Sequence, residues 1–159
     1  MTKRLTLALS FALLAPLVAP TAASAHPPNV DGSASLGLGF GDPTALDLKL
    51  WTSRDSGFDF GVGLERFDDV LGLYGEYEVG LAAFALGDSG GRGAFYIGLG
   101  GAVAFDDGDK TSAALVIPIG LDLRFRAPID LFVEARPGIG LVDRPAFGLG
   151  GQLGVRLRL

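Results

Sequence analysis

A two-residue alternation constrains this chain more than any other feature. From about Leu46 to Leu159, large apolar residues take every second position, and glycines or charges take the positions between. Phe58, Phe60, Val62 and Leu64 alternate with Asp59, Gly61, Gly63 and Glu65. Leu115, Ile117, Ile119, Leu121 and Leu123 do the same against Val116, Pro118, Gly120, Asp122 and Arg124. Successive side chains of an extended strand point to opposite faces, so this pattern specifies strands with one apolar and one polar face.

Eight strands are predicted, near 34–41, 44–52, 57–66, 71–80, 93–105, 113–126, 130–141 and 147–159. The breaks between them carry turn chemistry: Gly41-Asp42-Pro43, Ser53 to Gly57, Gly87 to Gly93, Asp106 to Ser112, Ala127-Pro128 and Asp143-Arg144-Pro145. Only Leu81 to Leu86 admits a helical turn. Without helices to carry parallel crossovers, the strands follow one another as an antiparallel up-and-down meander. The fold class is therefore all-β, with about eight strands closing into a barrel.

The first 25 residues read as an export signal rather than as structure. Lys3 and Arg4 precede an apolar stretch from Leu5 to Val18, and Ala23-Ser24-Ala25 forms a small-residue cleavage site. Cleavage there leaves about 134 residues, one domain's worth, starting at His26. The segment 26–33 reads as a flexible lead-in and 34–159 as the barrel. Loss of Lys3 and Arg4 takes the formal charge from −5 to −7, an acidic balance that argues against nucleic acid. The chain has no cysteine, which excludes disulfides, a lipid-modified cysteine anchor and thiolate chemistry. Beyond the signal no apolar run is long enough for a membrane helix.

Alternation alone does not say which face is inside. A soluble, lipocalin-like barrel binding an apolar ligand turns the apolar row inward, and an outer-membrane barrel turns it outward. The polar row is rich in glycine, including Gly61, Gly63, Gly98, Gly100, Gly120 and Gly154. Glycine weakens a water-facing strand, but inside a narrow barrel it makes room for large neighbours. The polar row is accordingly read as the lumen and the apolar row as facing outer-membrane lipid.

That lumen row holds Asp47, Lys49, Glu65, Glu76, Glu78, Asp122, Arg124, Glu134, Arg136, Arg156 and Arg158, with Tyr74 and Gln152 among them. The interior of an eight-stranded barrel is just wide enough for side chains to fill it. Charges enclosed there need partners, so a structural salt-bridge network is expected, with Glu76 and Glu78 taken by arginines such as Arg136 or Arg156. A narrow ion-conducting pore is the competing reading of the same row.

Enzyme chemistry finds little support. The single histidine, His26, lies outside the predicted wall, and no serine sits in a Gly-x-Ser-x-Gly setting. An amino-terminal His26 could chelate copper, but it has no second histidine or cysteine to help it. Asp106-Asp107-Gly108-Asp109 lacks the length and closing glutamate of a calcium loop and reads as an acidic hairpin tip. Gly98 to Gly101 precedes no helix and is not a phosphate loop. No cofactor or metal is expected.

Several segments resemble a family of small outer-membrane β-barrels first noticed in spirochaetes and largely of unknown function. These are Leu38-Gly39-Phe40-Gly41-Asp42-Pro43-Thr44 with Leu48-Lys49-Leu50-Trp51, Phe95-Tyr96-Ile97-Gly98-Leu99-Gly100-Gly101, Ile117-Pro118-Ile119-Gly120-Leu121, and Ala127 to Pro137. The resemblance implies an eight-stranded barrel of the size of the OmpA membrane domain and OmpX, and it carries over no catalytic residue. Such barrels commonly end on an aromatic residue, where this chain ends on Leu159. The expected product is a monomeric, non-enzymatic outer-membrane protein. Its partners are membrane lipid, the barrel-insertion machinery and an extracellular partner met through loops around Arg66–Val70, Asp106–Ser112 and Val142–Ala146.

Overall fold

The computed structural model describes residues 34–65, 70–87, 91–105, 111–142 and 145–159. The segments read from the sequence as an export signal and as a lead-in with His26, and residues 66–69, 88–90, 106–110 and 143–144, lie outside the described residues. Among the described residues there are nine strands: β1 Ala34–Asp42, β2 Thr44–Trp51, β3 Gly57–Glu65, β4 Val70–Leu86, β5 Gly91–Phe105, β6 Thr111–Val116, β7 Ile119–Arg124, β8 Ile129–Gly140 and β9 Phe147–Arg158. Every pairing is antiparallel and links neighbours along the chain, except that β5 also pairs with β7, β6 pairs with β8, and β9 returns to pair with β1 from Ser35–Arg158 to Asp42–Gly151. The result is one sheet closed into a ring, with Leu159 N–H donating to the Ala34 carbonyl at the seam (2.9 Å).

Nine strands occupy eight places. β6 and β7 both lie between β5 and β8, and together they are the strand expected over 113–126. The interruption is at Ile117-Pro118. Proline has no N–H to give to a ladder, so regular pairing stops there. Single hydrogen bonds carry the sheet across the gap: Gly98 N–H to the Pro118 carbonyl (2.8 Å) and Ile117 N–H to the Pro137 carbonyl (2.9 Å). The second departure is in β4, which runs on through Leu81 to Leu86 as strand, where a helical turn was admissible. A register shift between Gly80 and Ala82 leaves Leu81 unpaired opposite β5, a bulge that changes the phase of the alternation. β5 accordingly begins at Gly91, two residues earlier than expected.

The apolar row faces out and the polar row faces in. Leu38, Leu46, Phe60, Leu73, Leu131 and Val155 are 39–49 % exposed, one or more from almost every side of the ring. Between them along the same strands, Asp47, Lys49, Asp59, Glu76, Asp130 and Arg156 are buried at 0–3 %. The core of this molecule is thus a column of charged and aromatic side chains enclosed by backbone.

Candidate functional site

Inside the ring, β2, β3, β4, β7, β8 and β9 each aim one or more charges at the axis. Among the described residues seven carboxylates are buried there (Asp47, Asp59, Glu76, Glu78, Asp122, Asp130 and Glu134) against three buried bases (Lys49, Arg136 and Arg156). Arg156, from β9, is the hub. Its Nη2 donates to Asp59 Oδ2 of β3 (2.5 Å), its Nη1 to Asp122 Oδ1 of β7 (3.0 Å), and its Nε to Asp47 Oδ1 of β2. One guanidinium therefore ties four strands, because its fork of donors can serve several acceptors at once.

Lys49 forms the second node, donating to Glu78 and to Asp122 Oδ2 (2.8 Å). Arg136 forms the third, at 2.8 Å from Glu76 Oε1 and 2.7 Å from Glu134 Oε1. Aromatic rings fill the space between the nodes. The Arg156 guanidinium lies 3.7 Å from the Phe132 ring centre, that of Arg136 lies 3.7 Å from Tyr74, and Lys49 Nζ lies 4.6 Å from Tyr96. Tyr74 donates to Asp47 (3.0 Å) and Tyr96 to Glu134 (2.7 Å), so each buried ring also satisfies its hydroxyl.

The glycines of the polar row make this filling possible. A Cβ at Gly61 would stand 2.1 Å from the Tyr74 ring, one at Gly120 2.4 Å from Tyr96, and one at Gly154 2.4 Å from Phe132. Small residues face large ones across the ladder.

Of the charges read from the alternation, Asp47, Lys49, Glu76, Glu78, Asp122, Glu134, Arg136 and Arg156 meet in this network. Arg136 does take Glu76, but Glu78 goes to Lys49 rather than to an arginine. Arg124 and Arg158 do not join the centre. Arg124 stacks on Trp51 at 3.6 Å and donates to the Arg54 carbonyl. Arg158 donates to the carbonyls of Phe125 and Ala127 and lies 3.4 Å from Asp130. Both tie turns to one rim, where the chain's tight connections at 52–56 and 125–128 gather. The backbone of Glu65 pairs with Val70, and its side chain lies outside the described set.

Asp59 and Asp130 belong inside as well. Asp59 was legible in principle, since it alternates with Phe58 and Phe60; its partners depend on register, which places it opposite Lys49 on one side and Glu76 on the other.

Comparison with family models, curated proteins and solved structures gives no match to this chain.

Proposed function

We propose that this chain is a monomeric, non-enzymatic, integral outer-membrane β-barrel. In this reading it is exported behind a signal spanning residues 1–25 and folded by the barrel-insertion machinery. Its role is to stabilise the envelope or to meet an external partner through its loops. The observation that carries the reading is the inversion of polarity: a charged interior enclosed by an apolar, exposed wall. In water that wall is a large contiguous apolar surface of the kind monomeric soluble proteins rarely show. In a bilayer it is the required surface, and the closed ladder leaves no edge unpaired in the hydrocarbon.

Strand lengths agree with this. β1, β2 and β3 have 9, 8 and 9 residues, close to the roughly 9–11 that a tilted strand needs to cross the hydrocarbon. A soluble barrel with an apolar-lined cavity needs Leu46, Phe60 and Leu131 turned inward, and their exposure argues against it. Against a continuous pore stands the network itself, since Arg156 and Lys49 span the interior from strand to strand.

The test is fractionation of cells expressing the full chain, followed by electrophoresis of boiled and unboiled outer-membrane fractions. The proposal expects recovery with that fraction and a shift in migration on boiling. Recovery as a soluble secreted protein would overturn it.

A further inference from the structure

The bases do not account for all the charge enclosed in the ring. Among the described residues seven buried carboxylates face three buried bases; of the two half-buried arginines, Arg158 lies 3.4 Å from Asp130 and Arg124 donates to the Arg54 carbonyl at the rim. Three of the seven carboxylates cluster at one place. Asp59 of β3 and Glu76 and Glu78 of β4 place carboxylate oxygens all within 4.8 Å of one another. The ladder explains why: Asp59 stands opposite Glu76, and Glu78 follows two positions along β4 on the same face.

Each of these three carboxylates has one oxygen engaged, by Arg156, Arg136 and Lys49 respectively. The remaining oxygens, Asp59 Oδ1, Glu76 Oε2 and Glu78 Oε1, are buried and have no hydrogen-bond partner among the described residues. All three residues are at most 3 % exposed. A buried acceptor without a partner is costly, and three clustered carboxylates repel one another besides.

We propose that Asp59, Glu76 and Glu78 hold a hard divalent cation of the calcium type inside the ring. Such ions take oxygen ligands at about 2.3–2.6 Å, so one ion reaches oxygens separated by the spacing seen here. The ion offsets two charges of the carboxylate surplus and gives each free oxygen a partner. Arg156, Arg136 and Lys49 fix the other oxygen of each ligand, and so orient the three groups as outer-shell residues do in metal sites. The site binds β3 to β4 and, through those bases, to β2, β8 and β9. Because it is enclosed, the ion enters as the ring closes. The inference rests on the interior of the ring and not on where the ring resides.

The test is metal content of the full chain folded in detergent micelles, in calcium or in EDTA, and then freed of unbound metal. The calcium-folded protein is expected to retain about one calcium per chain by elemental mass spectrometry and to melt higher than the EDTA-folded protein. Glu76→Gln and Asp59→Asn are each expected to reduce retention about tenfold or more, while Asp107→Asn, in the acidic segment read from the sequence, retains it. Two results overturn the proposal. One is wild-type protein without stoichiometric metal and with the same melting temperature in calcium and EDTA. The other is equal retention by Glu76→Gln and wild type, which puts the ion elsewhere.

Discussion

At Gly61 a single methyl group is enough to collide with the Tyr74 ring, whereas a Cβ at Gly148 meets nothing within 4 Å. These two glycines share a sequence context and differ only in what faces them. Gly61→Ala is expected to destabilise the folded chain by about 1–3 kcal/mol through overpacking. Gly148→Ala is expected to stay within about 0.5 kcal/mol of wild type. Urea unfolding in micelles, followed by Trp51 fluorescence, reads both. Charge follows the same logic of surroundings. Arg156→Leu leaves Asp47, Asp59 and Asp122 without their shared donor in a site sealed from water, and is expected to cost about 3–5 kcal/mol. Arg92→Ala removes a partly exposed pair with Asp55, and its cost is expected to be about 0–1 kcal/mol. The direction of these side chains was legible in the sequence, since Asp47, Lys49 and Arg156 all lie on the polar phase of their strands. Their partners were not. Arg156 and Asp47 are 109 residues apart, and only the closing of β9 on β1 brings them together.

Elements differ in how far the ring supports them. The β3–β4 ladder ends at Gly57–Glu78, so β4 from Val79 to Leu86 is paired through β5 alone. On β5's far side the pairing with β7 runs as far as Arg92–Arg124, one residue from the start of β5. Only the β4 side of the hairpin lacks a second ladder here, and the β5 side is tied to the β2–β3 turn by Arg92 and Asp55. Amides from Val79 to Leu86 are expected to exchange with solvent about tenfold faster than those from Leu71 to Glu78, because fewer contacts must open. Equal protection along all of β4 would contradict this account of the hairpin. The same segment shows why alternation fails as a guide there. Leu81-Ala82-Ala83-Phe84-Ala85-Leu86 is apolar at every position, so no period separates strand from helical turn, and the bulge at Leu81 changes the phase on entry. At Pro118 the opposite holds. The alternation runs through the proline unbroken, so the direction of each side chain survives while the ladder does not. Side-chain period and backbone hydrogen bonding are separate constraints, and the sequence pattern reports mainly the first.

For the whole molecule, the question is what solvent the apolar wall meets. A charged column inside an apolar ring is stable only if the outside is less polar than water, or if another surface covers it. The wall is regular enough for the distinction to be read position by position, and the absence of cysteine makes the reading clean. The most direct measurement is a nitroxide scan of β8 in chain reconstituted in bilayers, using Ile129→Cys, Leu131→Cys, Val133→Cys and Ala135→Cys, all exposed outward positions. Collision with dissolved oxygen and with a water-soluble nickel chelate is then compared at each site. Contact with lipid predicts high oxygen and low nickel accessibility at Leu131 and Val133, with nickel accessibility rising toward the rim at Ile129. High nickel accessibility at all four positions would place the wall in water and contradict the account.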